Sequence, residues 1–437
     1  MSAVLKNVYF WLLLILVFAP GAAAQKLSSM DRERGQYMLK AIVNDIKKNY
    51  YDVNLRGIDL DARVKTANLA MEKAQSNGDI MLIIAQVLFE FKDSHTRFNP
   101  PSRANPTEYG WSMRMIGSKG FVVAVKPQSD AEAKGLKVGD EVQAINGYGV
   151  ARDTFWQMKY YFYSLHPQPG LRLNIKRPSG KEEELVVMAK VRQGKKVMDL
   201  TGETDIWDLI REQETEDYLS RHRYQKFGND LFVWKMPQFD MNEADVDEMM
   251  DKIKECNAVI FDLRGNGGGL VKMLNRLVGH FFDRDVKIAD WKGRKEFEPQ
   301  IAKTRGNKNY KGKVIVLIDS DSASASEIFA RVMQLEKRGT VLGDRSSGAV
   351  MVSRYYPHTS GLDTVSFFGA SVTMADLIMS DGKSLENVGV VPDKLMLMTG
   401  QEFADQKDPV LSHAASLAGV QLDPAAAGKM FPIEWKK

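Results

Sequence analysis

The stretch "VIVLIDSDSASASEIFARVMQLEKRGTVLGDRSSGAV" runs from Val314 to Val350. Its first residues read as a buried strand. A serine-and-alanine turn follows, and Ile328, Phe329 and Val332 then mark an amphipathic helix. "TVLGD" reads as the next strand, and strand, helix, strand is the repeating unit of a parallel sheet covered by helices. Ser324 stands where strand gives way to helix. Amides at a helix N-terminus are unpaired and carry partial positive charge, so a hydroxyl there lies beside donors able to hold an oxyanion. Serines also cap helices, and Ser320, Ser322 and Ser326 crowd the same turn, so this stretch alone leaves capping and nucleophile both open. A nucleophilic serine needs a base, and downstream no histidine, and no lysine before Lys337, lies close behind.

Upstream, the alternation extends back to Asn229 through "LFVWKMP", "ADVDEMMDKIKEC", "AVIFDL" and "VKMLNRLVGHFF". Between two of these lies "FDLRGNGGGL". It lacks the GK[ST] ending of a phosphate loop, and Leu270 occupies the last glycine position of GxGxxG, which argues against a nucleotide. A glycine run at the end of a strand still lets backbone amides approach a ligand closely, as an oxyanion hole requires, although a tight turn without a ligand reads the same way.

From Ser29 to Phe91 the pattern is helical. In "DIMLIIAQVLFEF", Ile80, Ile83, Ile84, Val87, Leu88 and Phe91 form one apolar face, and the pattern breaks at "KDSHTRFNPP". Between Gly120 and Val150 the period changes to short strands, a short helix and the Asn146–Gly147 hairpin turn. "DIWDLIREQETEDYLSRHRY" reads as a charged, solvated helix. At 437 residues the chain exceeds one ordinary domain, and its 60 basic and 56 acidic residues leave +4 without a long basic run, which argues against nucleic acid.

At the N-terminus, Lys6, the apolar stretch Val8 to Ala19 and the small residues Ala22 to Ala24 read as a cleavable export signal, with an uncleaved anchor as the competing reading, and the cleaved form would lie in the periplasm or outside the cell. Cys256 is the only cysteine, so no internal disulfide forms, and no HExxH or cysteine cluster suggests zinc.

The residues "KGLKVGDEVQAINGYGV" resemble a PDZ domain, with the likeness covering roughly Pro106 to Arg192 and Asp130 standing where a proline is usual. Such modules take up extended peptides, often C-termini, on a sheet edge. Behind it, "AVIFDLRGNGGGL", "SASASEIFA" and "LENVGVVPD" resemble the C-terminal processing peptidase family and its tricorn-core relatives, and "IKKNYYD" and "LFEFKDSHT" fit as well. The resemblance implies a multidomain α/β protein with a crotonase-like (ClpP-like) catalytic core. The expected segments are 1–24 signal, 25–105 helical domain, 106–192 PDZ-like domain, 193–228 helical linker and 229–437 core.

The resemblance makes Ser324 the nucleophile. It also removes one base, because Ala349 stands where the processing-peptidase branch has a lysine. The tricorn-like branch uses a histidine and a glutamate, which fall on His95 of "DSHT", with Ser94 orienting it, and on Glu386 of "SLENVGVVPD". Gly268 and Ala325 are the implied oxyanion donors, with Gly267 and Gly269 as alternatives to the first. The implied activity is serine-type hydrolysis of peptides or unfolded protein, bound through a C-terminus, with no cofactor and no metal. It should fall on acidification through the ordinary imidazole range, nominally about 6.5. A catalytically inactive peptide binder, or a ligand carrier like the retinoid-binding relatives, is the alternative on the same fold.

Overall fold

The computed structural model describes residues 27–101, 107–191, 221–361 and 366–433. The expected export signal and most of the expected linker helix lie outside these residues. Among the described residues no helix is long and apolar enough to cross a membrane.

Five parallel strands form the centre, in the order Leu231–Lys235, Ala258–Asp262, Lys313–Ile318, Thr340–Gly343 and Lys394–Leu395. Successive side chains of a strand point to opposite faces, so strands covered on both sides must be apolar throughout. Val314, Val316 and Ile318 accordingly pack with helices Glu243–Ile253, Val271–Gly279 and Ala325–Leu335. Ile315 and Leu317 face the other way, onto helix Pro409–Leu417. A sixth strand, Arg223–Phe227, hairpins antiparallel onto Leu231–Lys235. This corrects the reading of Arg223 and Tyr224 as helix. The strand lies at the sheet's edge and carries Arg223, Gln225 and Lys226, polar residues of the kind that protect an edge and that imitate a solvated helix in sequence.

A second sheet is organised around the long strand Ser366–Met379, which pairs antiparallel with Val352–Ser360, Val286–Gly293 and Arg97–Asn99. Helices Ser29–Asn49, Leu60–Glu72 and Asn77–Phe89 cover it, burying Leu39, Ile42, Ile80 and Ile84 against Phe98, Phe368, Ala370 and Val372. The turn between helix Asn77–Phe89 and strand Arg97–Asn99 therefore has both ends fixed, and it carries Ser94 and His95.

The third sheet runs Trp111–Ile116, Lys119–Val125, Glu141–Ile145, Gly170–Lys176 and Glu182–Met188, with its own core around Trp111, Val122, Phe162 and Leu173. Polar contacts hold it over the C-terminal ends of the parallel strands. Arg114 meets Asp319 at 3.0 Å, Arg152 meets Asp344 at 2.7 Å, and the Ser320 hydroxyl donates to the Met115 carbonyl at 2.7 Å. Both aspartates are buried, so losing either arginine would strand a charge at a cost of about 3–5 kcal/mol.

Candidate active site

Ser324 occupies the turn between strand Lys313–Ile318 and helix Ala325–Leu335 with φ 55° and ψ −118°. A residue with a Cβ avoids this region unless its surroundings impose it. Three contacts do so. The Ser324 amide donates to the Ala349 carbonyl at 2.9 Å and to Glu327 Oε2 at 3.0 Å, and Gly268 lies against the side chain. A Cβ on Gly268, whose φ is 100°, would come within 2.6 Å of the Ser324 Cβ. Glycine at 268 is therefore what lets the two loops approach.

The glycine loop and the serine turn are stitched together by Asn266. Its carbonyl accepts from the Ala323 amide and the Ser326 hydroxyl, each at 2.9 Å, and its side-chain oxygen accepts from the Gly268 amide at 2.8 Å. The three other serines of the turn thus have structural bonds: Ser326 to Asn266, Ser322 to the Leu263 carbonyl at 2.8 Å, and Ser320 to the Met115 carbonyl at 2.7 Å. The Ala325 amide has no intramolecular acceptor among the described residues.

Glu327 has a part that the sequence reading missed, although Ser-x-x-Glu at a helix start is a recognisable pattern. Its carboxylate is fully buried and accepts from the Ser346 hydroxyl at 2.6 Å and from the amides of Gly348, Ala349 and Ser324 at 2.7, 2.8 and 3.0 Å. Burial outweighs these donors and pushes its pKa up to about 7.

On the opposite side, the Ser94 oxygen lies 2.6 Å from His95 Nδ1, and its hydroxyl is 2.9 Å from Glu386 Oε2. Glu386 also accepts from the Ser94 amide at 2.7 Å and the Val350 amide at 3.1 Å. Asp93 fixes the turn from below, accepting from the amides of His95 and Thr96 and from the hydroxyls of Tyr50, Thr96 and Thr373. Burial, reinforced by the charge of Arg97, lowers the His95 pKa to about 4, well below the imidazole range anticipated from sequence. Burial likewise raises Glu386.

The structure therefore joins Ser94, His95 and Glu386 directly. It links them to Ser324 through the backbone of Ala349 and Val350, the first accepting from the Ser324 amide and the second donating to Glu386. Among the described residues no hydrogen bond joins the Ser324 hydroxyl to His95. Gly268 and Ala325 both lie against Ser324, but the Gly268 amide is already engaged by Asn266. A cleft of about 660 Å³ opens beside this set, lined among others by Ser94, Arg97, Arg345 and Ala349. Among the described residues no group of three or more His, Cys, Asp or Glu could hold a metal ion.

Residues 232–396 match the sequence profile of peptidase family S41. The tail-specific protease of Haemophilus influenzae is 29% identical over 52% of this chain and 34% of its own length. The chloroplastic carboxyl-terminal-processing peptidase 1 of Arabidopsis thaliana is 25% identical over 71% of this chain and 61% of its own. The chain thus spans about a third and about three fifths of these relatives. Among solved structures, mature CPAF shares the fold with a TM-score of 0.65 at 15% identity, over 86% of this chain and 95% of that one.

Proposed function

We propose, for a chain that carries a peptidase family S41 domain at residues 232–396, that it is an exported serine peptidase acting on peptides or on the C-terminal segments of proteins. The observation that carries this reading is the strained backbone of Ser324 at a strand-to-helix turn, since strain of this kind persists where a side chain must be presented.

The proton positions follow from donor counting. Glu386 is an acceptor, so the single Ser94 hydroxyl proton points to it. Ser94 then accepts from Nδ1–H of His95, which leaves Nε2 with its lone pair free. In the reaction Ser324 Oγ attacks the scissile carbonyl while His95 Nε2 takes its proton. His95 returns that proton to the leaving amine as the C–N bond breaks, and water, deprotonated by the same ring, releases the acyl group. Ala325 offers the uncommitted oxyanion donor. Gly268 serves only by exchanging its bond to Asn266, so Gly267 and Gly269 compete for that role.

Within the same reading, the core is crotonase-like, and the module at 106–192 is PDZ-like and delivers chain ends through the groove between strand Trp111–Ile116 and helix Phe155–Tyr160. The apolar N-terminal stretch supports export, and N-terminal sequencing of the mature protein tests it.

A serine-directed phosphonate tests the chemistry: it should label Ser324 and no other serine of the turn. One observation favours a second reading, an inactive peptide binder, namely that the Ser324 hydroxyl and His95 are not hydrogen-bonded. Catalytic hydrogen bonds often tighten only around substrate, so absence of labelling in the presence of bound peptide is the result that would select it.

A further inference from the structure

The cleft beside the site carries positive charge that the protein does not neutralise. Five cations line it: Lys92, Arg97, Arg152, Lys159 and Arg345. Arg152 is committed to Asp344 at 2.7 Å, and Lys159 lies 3.7 Å from Asp321, which Arg114 also approaches. Lys92, Arg97 and Arg345 have no ion-pair partner among the described residues. Two lining carboxylates also lack an ion-pair partner among the described residues: Asp153, which is exposed, and Asp93, which is buried and held by amides and hydroxyls. The unpaired cations are not scattered. Lys92 and Arg97 flank the turn that carries His95, and Arg345 belongs to the loop whose Ala349 carbonyl holds the Ser324 amide.

Arg345 is half-buried, and its backbone is pinned on both sides: its amide donates to Asp344, and its carbonyl accepts from Arg152. These contacts fix where the side chain starts, and its guanidinium, which is not itself hydrogen-bonded among the described residues, offers a planar fork that suits a carboxylate. Arg97 acts on the ring itself, since its charge disfavours protonated His95.

We propose that Arg345 and Arg97 select substrates carrying a carboxylate close to the cleaved bond, as an acidic side chain or as the free end of the chain. This deepens the peptidase reading and rests on it. A bound carboxylate satisfies two cations that otherwise face solvent, and by pairing with Arg97 it removes the repulsion that opposes proton uptake by His95. Selectivity should therefore appear in kcat as well as in KM.

The test uses fluorogenic peptide pairs identical except for Glu or Gln at successive positions on either side of the cut, each with a free or an amidated C-terminus. The carboxylate member should be cleaved with kcat/KM about tenfold higher or more, the size expected for one charge-assisted bond. If the advantage follows Glu in amidated peptides, the source is a side chain; if it requires the free terminus, the source is the chain end. Arg345→Gln should abolish the preference, read as the ratio of kcat/KM between the Glu and Gln peptides, and Arg345→Lys should retain part of it. Raising salt from about 0.05 to 0.5 M should shrink it. Binding of the same peptides to Ser324→Ala protein, read by fluorescence anisotropy, separates the two layers. Equal binding and equal cleavage of Glu and Gln peptides overturns the carboxylate selection and leaves the peptidase. Preferential binding without cleavage by the wild type upholds the selection and overturns the peptidase.

Discussion

Ser324 is held by its own neighbourhood, whereas His95 is held by the far end of the chain. The serine turn is bonded to the glycine loop, to Glu327 three residues on and to the loop ending at Ala349, all within the parallel-sheet core. The histidine turn depends on Glu386, which lies 292 residues from Ser94, and on Thr373, 280 residues from Asp93. Fully buried Glu327 and half-buried His95 are displaced in opposite directions, Glu327 upward to about 7 and His95 downward to about 4. The proposed nucleophile and the separately anchored proposed base can therefore be disturbed one at a time.

The largest effect should come from the serine side. Ser324→Ala should lower kcat by about 10⁴-fold or more, the loss typical of a deleted nucleophile. Ser322→Ala should instead cost about 1–3 kcal/mol of stability, because it leaves buried groups unpaired, while retaining turnover. A Ser322→Ala protein that melts normally and is dead would transfer the nucleophile to Ser322.

The histidine side comes next. His95→Ala should cost kcat about 10⁴-fold. In the wild type, activity should hold down to about pH 5 and fall through about 4, since protonated His95 cannot accept the serine proton. A fall centred near 6.5 would mean that the ring is solvated during turnover.

Glu386→Gln sharpens the comparison further. The amide can donate to the Ser94 oxygen, which turns the Ser94 proton toward His95 and forces the hydrogen onto Nε2. A drop of about 10³–10⁴-fold with little change in KM is expected, as for other triads left with the wrong tautomer. An unchanged kcat would remove Glu386 from the proton chain.

The smallest effect is on stability, and there the two sides oppose each other. Glu327 has a raised folded pKa, so its contribution is complete below its unfolded value of about 4.5 and is lost as pH rises through about 7. His95 has a lowered folded pKa, so its contribution is complete above about 6.5 and is lost as pH falls through about 4. Each slope amounts to about 3 kcal/mol, and they nearly cancel in the wild type. Denaturant titrations of Glu327→Gln should uncover the histidine slope, with stability falling toward acid, and those of His95→Ala the glutamate slope, with stability rising toward acid. Parallel slopes in the two variants would show that neither group is displaced as described.

What could be read in the sequence follows the same division. The core strand Lys313–Ile318 and the helix after it were legible because they are buried on known faces, and their apolar patterns are local. Strand Ser366–Met379 was not, because its identity comes from pairing with Arg97–Asn99, Val286–Gly293 and Val352–Ser360, none of which marks it in sequence. Ser94, His95 and Glu386 could be named only through resemblance, since three polar residues so far apart carry no local signal. Glu327 had such a signal in its spacing from Ser324, but spacing alone does not reveal that the carboxylate is wholly buried. The cation at Arg97 was hidden for a simpler reason: a charge is remarkable only when its partner is missing, and partners are seen in space.

The pairing of Phe98 with Ala370, which locks the histidine turn beside the strand leading to Glu386, also sets a timetable. During synthesis the ribosome delivers residues 94 and 95 long before residue 386 exists, and loop closure over such a span is among the slow steps of folding. On the proposed mechanism a nascent or partly folded copy lacks a competent base, however early its serine turn forms. Hydrolytic power is thus withheld until the last distant contact is made, and a chain that fails to finish folding remains harmless to its neighbours.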